Sequence, residues 1–64
     1  MALFKLQPLS HFEQVQLDQL AHTSGELALA QAVGTTRLTI ARARLGCRLK
    51  TLTRLKIRAY LQRH

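Results

Sequence analysis

The chain has 64 residues, 47% of them hydrophobic, and a net charge of +7 from ten Lys/Arg against three Asp/Glu. That length allows one domain with a small core, because a chain this short buries only about 60% of the surface it exposes when unfolded. The apolar content is too high for a disordered tail, the size leaves little room for a closed catalytic pocket, and a pI near 11.3 points to a polyanionic partner, nucleic acid before an anionic membrane.

In chain order, residues 1–9 read as an N-terminal arm or strand and residues 10–64 as a compact all-α bundle of about four helices. The first helix spans about 10–21. Ser10-His-Phe-Glu13 is a capping box, in which the Ser10 hydroxyl and the Glu13 carboxylate each satisfy the other residue's amide. Phe12, Val15 and Leu20, with Leu17 beside them, form its expected apolar side. The second helix spans about 24–33. Thr23, Ser24 and Gly25 are its candidate N-caps, Glu26 sits in its first turn, and Gly34 ends it in the left-handed conformation. The third helix, about 37–45, is capped by Thr36 and stopped by Gly46. Residues 47–50 connect it to a fourth helix, about 51–62, with Thr51 as its N-cap. Leu52, Leu55 and Ala59 fall on one side of that helix and Ile57 and Leu61 on another, a pattern expected of a helix that packs on its own domain and on a partner.

Several kinds of chemistry find no support in the residues. Cys47 is alone, which rules out an internal disulfide, and His11, His22 and His64 are scattered, so no metal or cofactor is expected. A lone thiol fits a reducing cytosol. No strictly apolar run exceeds four residues, as in Leu27–Ala30, far short of the roughly 20 residues of a membrane span, and Met1–Pro8 lacks the apolar run of a secretion signal. There is no Gly-rich phosphate loop, nucleophile–base arrangement or carboxylate pair, so neither an enzyme nor a small-molecule ligand is expected.

Charge divides the chain sharply. The three acids, Glu13, Asp18 and Glu26, lie in the first 26 residues, and nine of the ten bases lie between Arg37 and Arg63. Such segregation fits a polyanion-binding face better than a basic surface kept for solubility.

The spacing of the second and third helices is the most informative local feature. Counted from Glu26, Ala30 is the fifth residue, Gly34 the ninth and Ile40 the fifteenth. A small residue is needed where two helices touch, positive φ is cheap for Gly where the chain turns steeply between them, and Ile40 faces inward. Leu29, Val33 and Ala43 fill further inward positions. The stretch from Glu26 to Leu45, and Gly34-Thr-Thr-Arg-Leu-Thr-Ile40 within it, resembles the helix-turn-helix of the Cro and lambda-repressor-like DNA-binding family. Glu26 stands where that family often carries Gln and reads as a cap. Ala43 is smaller than the branched residue usual at its position, so Leu45 or Leu49 is expected to fill the space.

The resemblance implies that the third helix enters the DNA major groove N-terminus first. Thr36, Arg37, Leu38, Ala41 and Arg42 would then meet base edges: Arg37 and Arg42 with paired hydrogen bonds to guanine, and Leu38 and Ala41 against thymine methyls or sugar. Thr39, the amides of Thr23, Ser24 and Gly25 at the start of the second helix, and Arg44, Arg48 and Lys50 would meet phosphates. The expected protein is a sequence-specific regulator of double-stranded DNA, a small cytoplasmic repressor of phage or mobile-element type. It would act as a homodimer through Leu52, Leu55, Ile57 and Leu61, without a membrane partner. An architectural DNA-binding protein with little sequence choice is the main alternative, and a basic amphipathic peptide acting at membranes is another.

Overall fold

The computed structural model of the chain describes residues 6–63. It is all-helical, in the order α1 (His11–Ser24), α2 (Glu26–Val33), α3 (Arg37–Arg44) and α4 (Thr51–Gln62). No helix among the described residues is long and apolar enough to cross a membrane.

Each helix begins and ends for a local reason. The Ser10 hydroxyl accepts from the Glu13 amide at 3.2 Å and a Glu13 carboxylate oxygen accepts from the Ser10 amide at 3.0 Å, closing the expected capping box. At the other end α1 runs three residues further than the sequence suggests, to Ser24. Thr23 and Ser24 therefore lie in the last turn of α1 rather than capping α2, and the Thr23 hydroxyl donates to the Gln19 carbonyl at 3.0 Å. His22 Nδ1 meets the Asp18 carbonyl one turn back within α1, at 3.0 Å. Gly25 alone separates α1 from α2. Its amide donates to the Ala21 carbonyl while its own carbonyl accepts the first bond of α2, from the Leu29 amide.

Gly34 takes the left-handed conformation anticipated for it, at φ 88° and ψ 39°, and its amide and that of Thr35 both donate to the Ala30 carbonyl at 2.9 Å. A side chain there would meet no neighbour, so Gly is required by backbone conformation and not by space. α3 starts on Thr36, whose hydroxyl accepts from the Thr39 amide at 3.2 Å. It ends in a Schellman motif: the Cys47 amide donates to the Arg42 carbonyl and the Gly46 amide to the Ala43 carbonyl. Lys50, not Thr51, is the N-cap of α4.

One core joins all four helices: Leu17 and Ala21 from α1, Leu29 and Ala30 from α2, Ile40 and Ala43 from α3, and Ile57 and Leu61 from α4, closed by Leu9 and Leu49 from the non-helical segments. Leu49, not Leu45, fills the space beside the small Ala43, and Leu45 is 80% exposed. Two expectations for packing are corrected. Phe12 and Val15 are exposed, because the buried face of α1 is centred on Leu17 and Ala21, on the opposite side of the helix. Ile57 and Leu61, expected at a dimer interface, are 0% and 4% exposed and belong to the core. The end of the expected N-terminal arm is part of the domain. Gln7 and Leu49 exchange both backbone bonds, at 3.1 and 2.9 Å, as an isolated antiparallel bridge, and Gln14 holds the Leu9 carbonyl at 2.8 Å. The remainder of the arm, residues 1–5, lies outside the described residues.

Candidate nucleic-acid interface

Ile40 and Ala43 turn one side of α3 inward, and the helical period then sends Leu38, Arg42 and Leu45 outward. Leu38 is 59% exposed on the first turn, so it is not a core residue. Thr36, whose hydroxyl also meets that of Thr39 at 2.9 Å, and Arg37 are exposed beside it. Ala41 is half-buried.

The acids determine which cations stay available. All three are spent on internal ion pairs. Arg44 Nε donates to Asp18 Oδ1 at 2.7 Å and Arg44 Nη1 to Glu26 Oε2 at 2.9 Å. Arg44 is therefore corrected from a phosphate contact to an internal strut. Its side chain is 24% exposed, and Asp18, then burial acting in the opposite sense, then Glu26 leave its guanidinium with a pKa above the usual value. On the far side of the domain, Arg58 Nε and Nη2 both donate to Glu13, at 2.6 and 3.2 Å. That two-point contact with Arg58 is the largest cause that holds Glu13 down at about 2, against partial burial and with help from the Ser10 amide. Arg37 lies 3.6 Å from Glu26, too long for a hydrogen bond and largely exposed to solvent.

Three of the remaining cations converge. Arg42 of α3, Arg48 and Lys50 of the connector and Thr53 of α4 line a cleft of about 360 Å³, with Thr39, Leu49 and Leu6 completing its walls. No acid lines it. Lys50 supplies no side-chain cap to α4, and the first backbone bond of that helix comes from Arg54. The amides of Thr51, Leu52 and Thr53 thus begin a helix beside the cleft and add their dipole to its positive field. Arginine and lysine groups, two hydroxyls and a helix N-terminus are donors suited to a phosphate oxygen.

The structure thus gathers Thr39, Arg42, Arg48 and Lys50 in one place and sets Arg37 and Leu38 at the exposed start of α3. It does not add Thr23, Ser24 and Gly25 to them as an amide site, since Thr23 and Ser24 lie inside α1 and the Gly25 amide is already bonded. Leu52 and Leu55 stay exposed on α4. The sequence reading missed Thr53 as a cleft residue, and it also missed Arg54, whose Nη1 donates to Gln7 Oε1 at 2.8 Å and pins the N-terminal segment to α4. Residues 47 apart carry no local signal of that contact; the signal for Thr53 was its place in the first turn of a helix that follows two bases. No family model, curated protein or solved structure matches the chain.

Proposed function

We propose that this protein binds double-stranded DNA as a helix-turn-helix, with α3 in the major groove and the cleft between α3, the connector and α4 on the phosphate backbone. The observation that carries this reading is the distribution of charge. Each acid is neutralised inside the fold, while Arg42, Arg48 and Lys50 bracket an acid-free cleft beside the exposed face of α3. In this reading Arg37 and Leu38, at the leading end of α3, read bases. Arg42 stands at the edge of the cleft and joins Arg48, Lys50, Thr39 and Thr53 on phosphate, a shift from the base-reading role its sequence position suggests.

Such a protein serves as a small sequence-specific regulator that occludes a promoter, as a phage or mobile-element repressor would, in the cytoplasm where bacterial DNA lies. The chain needs no cofactor or catalytic group for that role. Three cations gathered at the backbone cleft, against Arg37 alone at the leading edge of α3, favour the architectural alternative as the second reading. Competition between a selected site and random duplex at several salt concentrations separates them. A regulator prefers its site by about a thousandfold or more, whereas an architectural protein binds both with the same affinity and the same salt slope.

A further inference from the structure

We propose that the seam between α1 and the C-terminal half of α4 is where a second copy of this chain docks, with Phe12 as its anchor. A groove of about 600 Å³ runs along this seam, with Phe12 and Gln16 on one wall and Leu61 and Gln62 on the other. It continues past Gln16 and Leu61 into a smaller hollow reaching Thr23. Phe12 is 71% exposed, the largest uncovered aromatic side chain of α1. Aromatic residues set in a groove are the usual anchors of protein interfaces.

Charge selects the occupant. Among the described residues, the acid and base that line the groove, Glu13 and Arg58, are bound to each other, so its lining is neutral on a chain that carries +7 overall. The rival apolar stripe, Leu52 and Leu55, is flanked by Arg48, Lys50 and Lys56. Lys56 is one helical turn from Leu52, well inside the roughly 8 Å Debye length of physiological salt. Two copies meeting on that stripe would bring these cations together, whereas the lining of the seam is the neutral Glu13–Arg58 pair with polar and apolar residues, and Arg63 lies beyond its C-terminal end. A face that is self-complementary in this way suits a two-fold contact, in which Phe12 of each copy enters the groove of the other.

The size of the seam sets the strength of the contact. The 14 residues of α1 span about 21 Å, and two helices side by side cover about 20 Å across, at the usual spacing of about 9 Å between axes. The resulting plan area of at most roughly 400 Å² per copy is about half that of a standard interface, as expected of a weak and concentration-dependent contact. This inference rests on charge and shape alone and is independent of what the cleft binds.

The test is sedimentation velocity of the full chain without DNA, from low micromolar to several hundred micromolar, at physiological ionic strength. The wild type should pass from monomer to dimer across that range. Phe12→Glu should stay monomeric with unchanged helix content, because an exposed acid in the first turn suits the helix dipole. Phe12→Leu and Leu52→Glu should dimerise like the wild type. A wild type that is monomeric throughout, or a dimer that Phe12→Glu leaves intact, overturns the proposal. A dimer lost on Leu52→Glu and kept on Phe12→Glu overturns it as well, and places the contact on α4.

Discussion

Arg44 donates to Asp18 across 2.7 Å and thereby ties the last turn of α3 to the middle of α1. The same guanidinium holds Glu26 at the start of α2, so one base fixes the position of α3 against two helices. Arg44→Met should lower the midpoint of urea unfolding, with the loss shared by Asp18→Asn and not additive with it. Because Arg44 is engaged inside the fold, the same substitution should change the salt slope of DNA binding by less than about half a unit. A loss of one unit with unchanged stability would return Arg44 to the phosphate backbone.

Glu13 and Arg58 make the fold sensitive to acid. The Glu13 carboxyl titrates at about 2 when folded, against 4.5 as its ordinary value. A lowered pKa contributes stability that is present above about pH 4.5 and lost as pH falls toward 2. The shift corresponds to at most about 3.5 kcal/mol, and screening of the partly exposed Arg58 reduces the expected effect to about 1 kcal/mol. Urea titrations at pH 6 and pH 2.5 should show the wild type losing about that much more than Glu13→Gln. Equal losses would mean that this pair contributes nothing to the pH dependence.

The two sides of α4 should respond oppositely to truncation. Ile57→Ala removes a side chain with no exposed surface and should cost about 2–4 kcal/mol. Leu52→Ala, on the open side, should change stability by no more than about 0.5 kcal/mol. Equilibrium urea unfolding measures both, and a reversed order would put the Leu52 side in the core.

These contrasts show where sequence and structure part. The capping box at Ser10, the Thr36 cap and the left-handed Gly34 were legible because each depends on residues within four positions. Four helices at nearly the observed limits followed from them. The buried face of α1 was not legible, because its two exposed large apolar residues, Phe12 and Val15, outweigh the small Ala21 in any reading by hydrophobicity. Nor was the fate of Arg44 legible: its partners lie 18 and 26 positions away, and a base on the expected recognition helix has the same composition whether it faces DNA or its own domain. The cleft was half legible. Arg48 and Lys50 announced themselves as a basic connector, whereas the contributions of Arg42 and Thr53 depend on how α3 and α4 are set side by side.

Cys47 is exposed at the exit of α3. It should react with a thiol reagent in the native state as fast as a short unstructured peptide does. Cys47→Ser should leave stability within about 0.5 kcal/mol and DNA affinity within a few-fold. Loss of DNA binding on mild oxidation of the wild type, and not of Cys47→Ser, would reveal a redox role for this thiol.

Phosphate binding at the acid-free cleft is tested most directly by the salt dependence of duplex binding by the wild type, Arg42→Ala, Arg48→Ala and Lys50→Ala, with Arg37→Ala as the contrast. The wild type should bind duplex DNA with a steep loss of affinity as salt rises, and each cleft substitution should reduce the slope by about one unit while weakening cognate and random DNA alike. Arg37→Ala should instead cost about 1–3 kcal/mol on the cognate site and much less on random DNA. A wild type that does not bind duplex DNA at low salt, or cleft variants whose slopes match the wild type, would contradict the account.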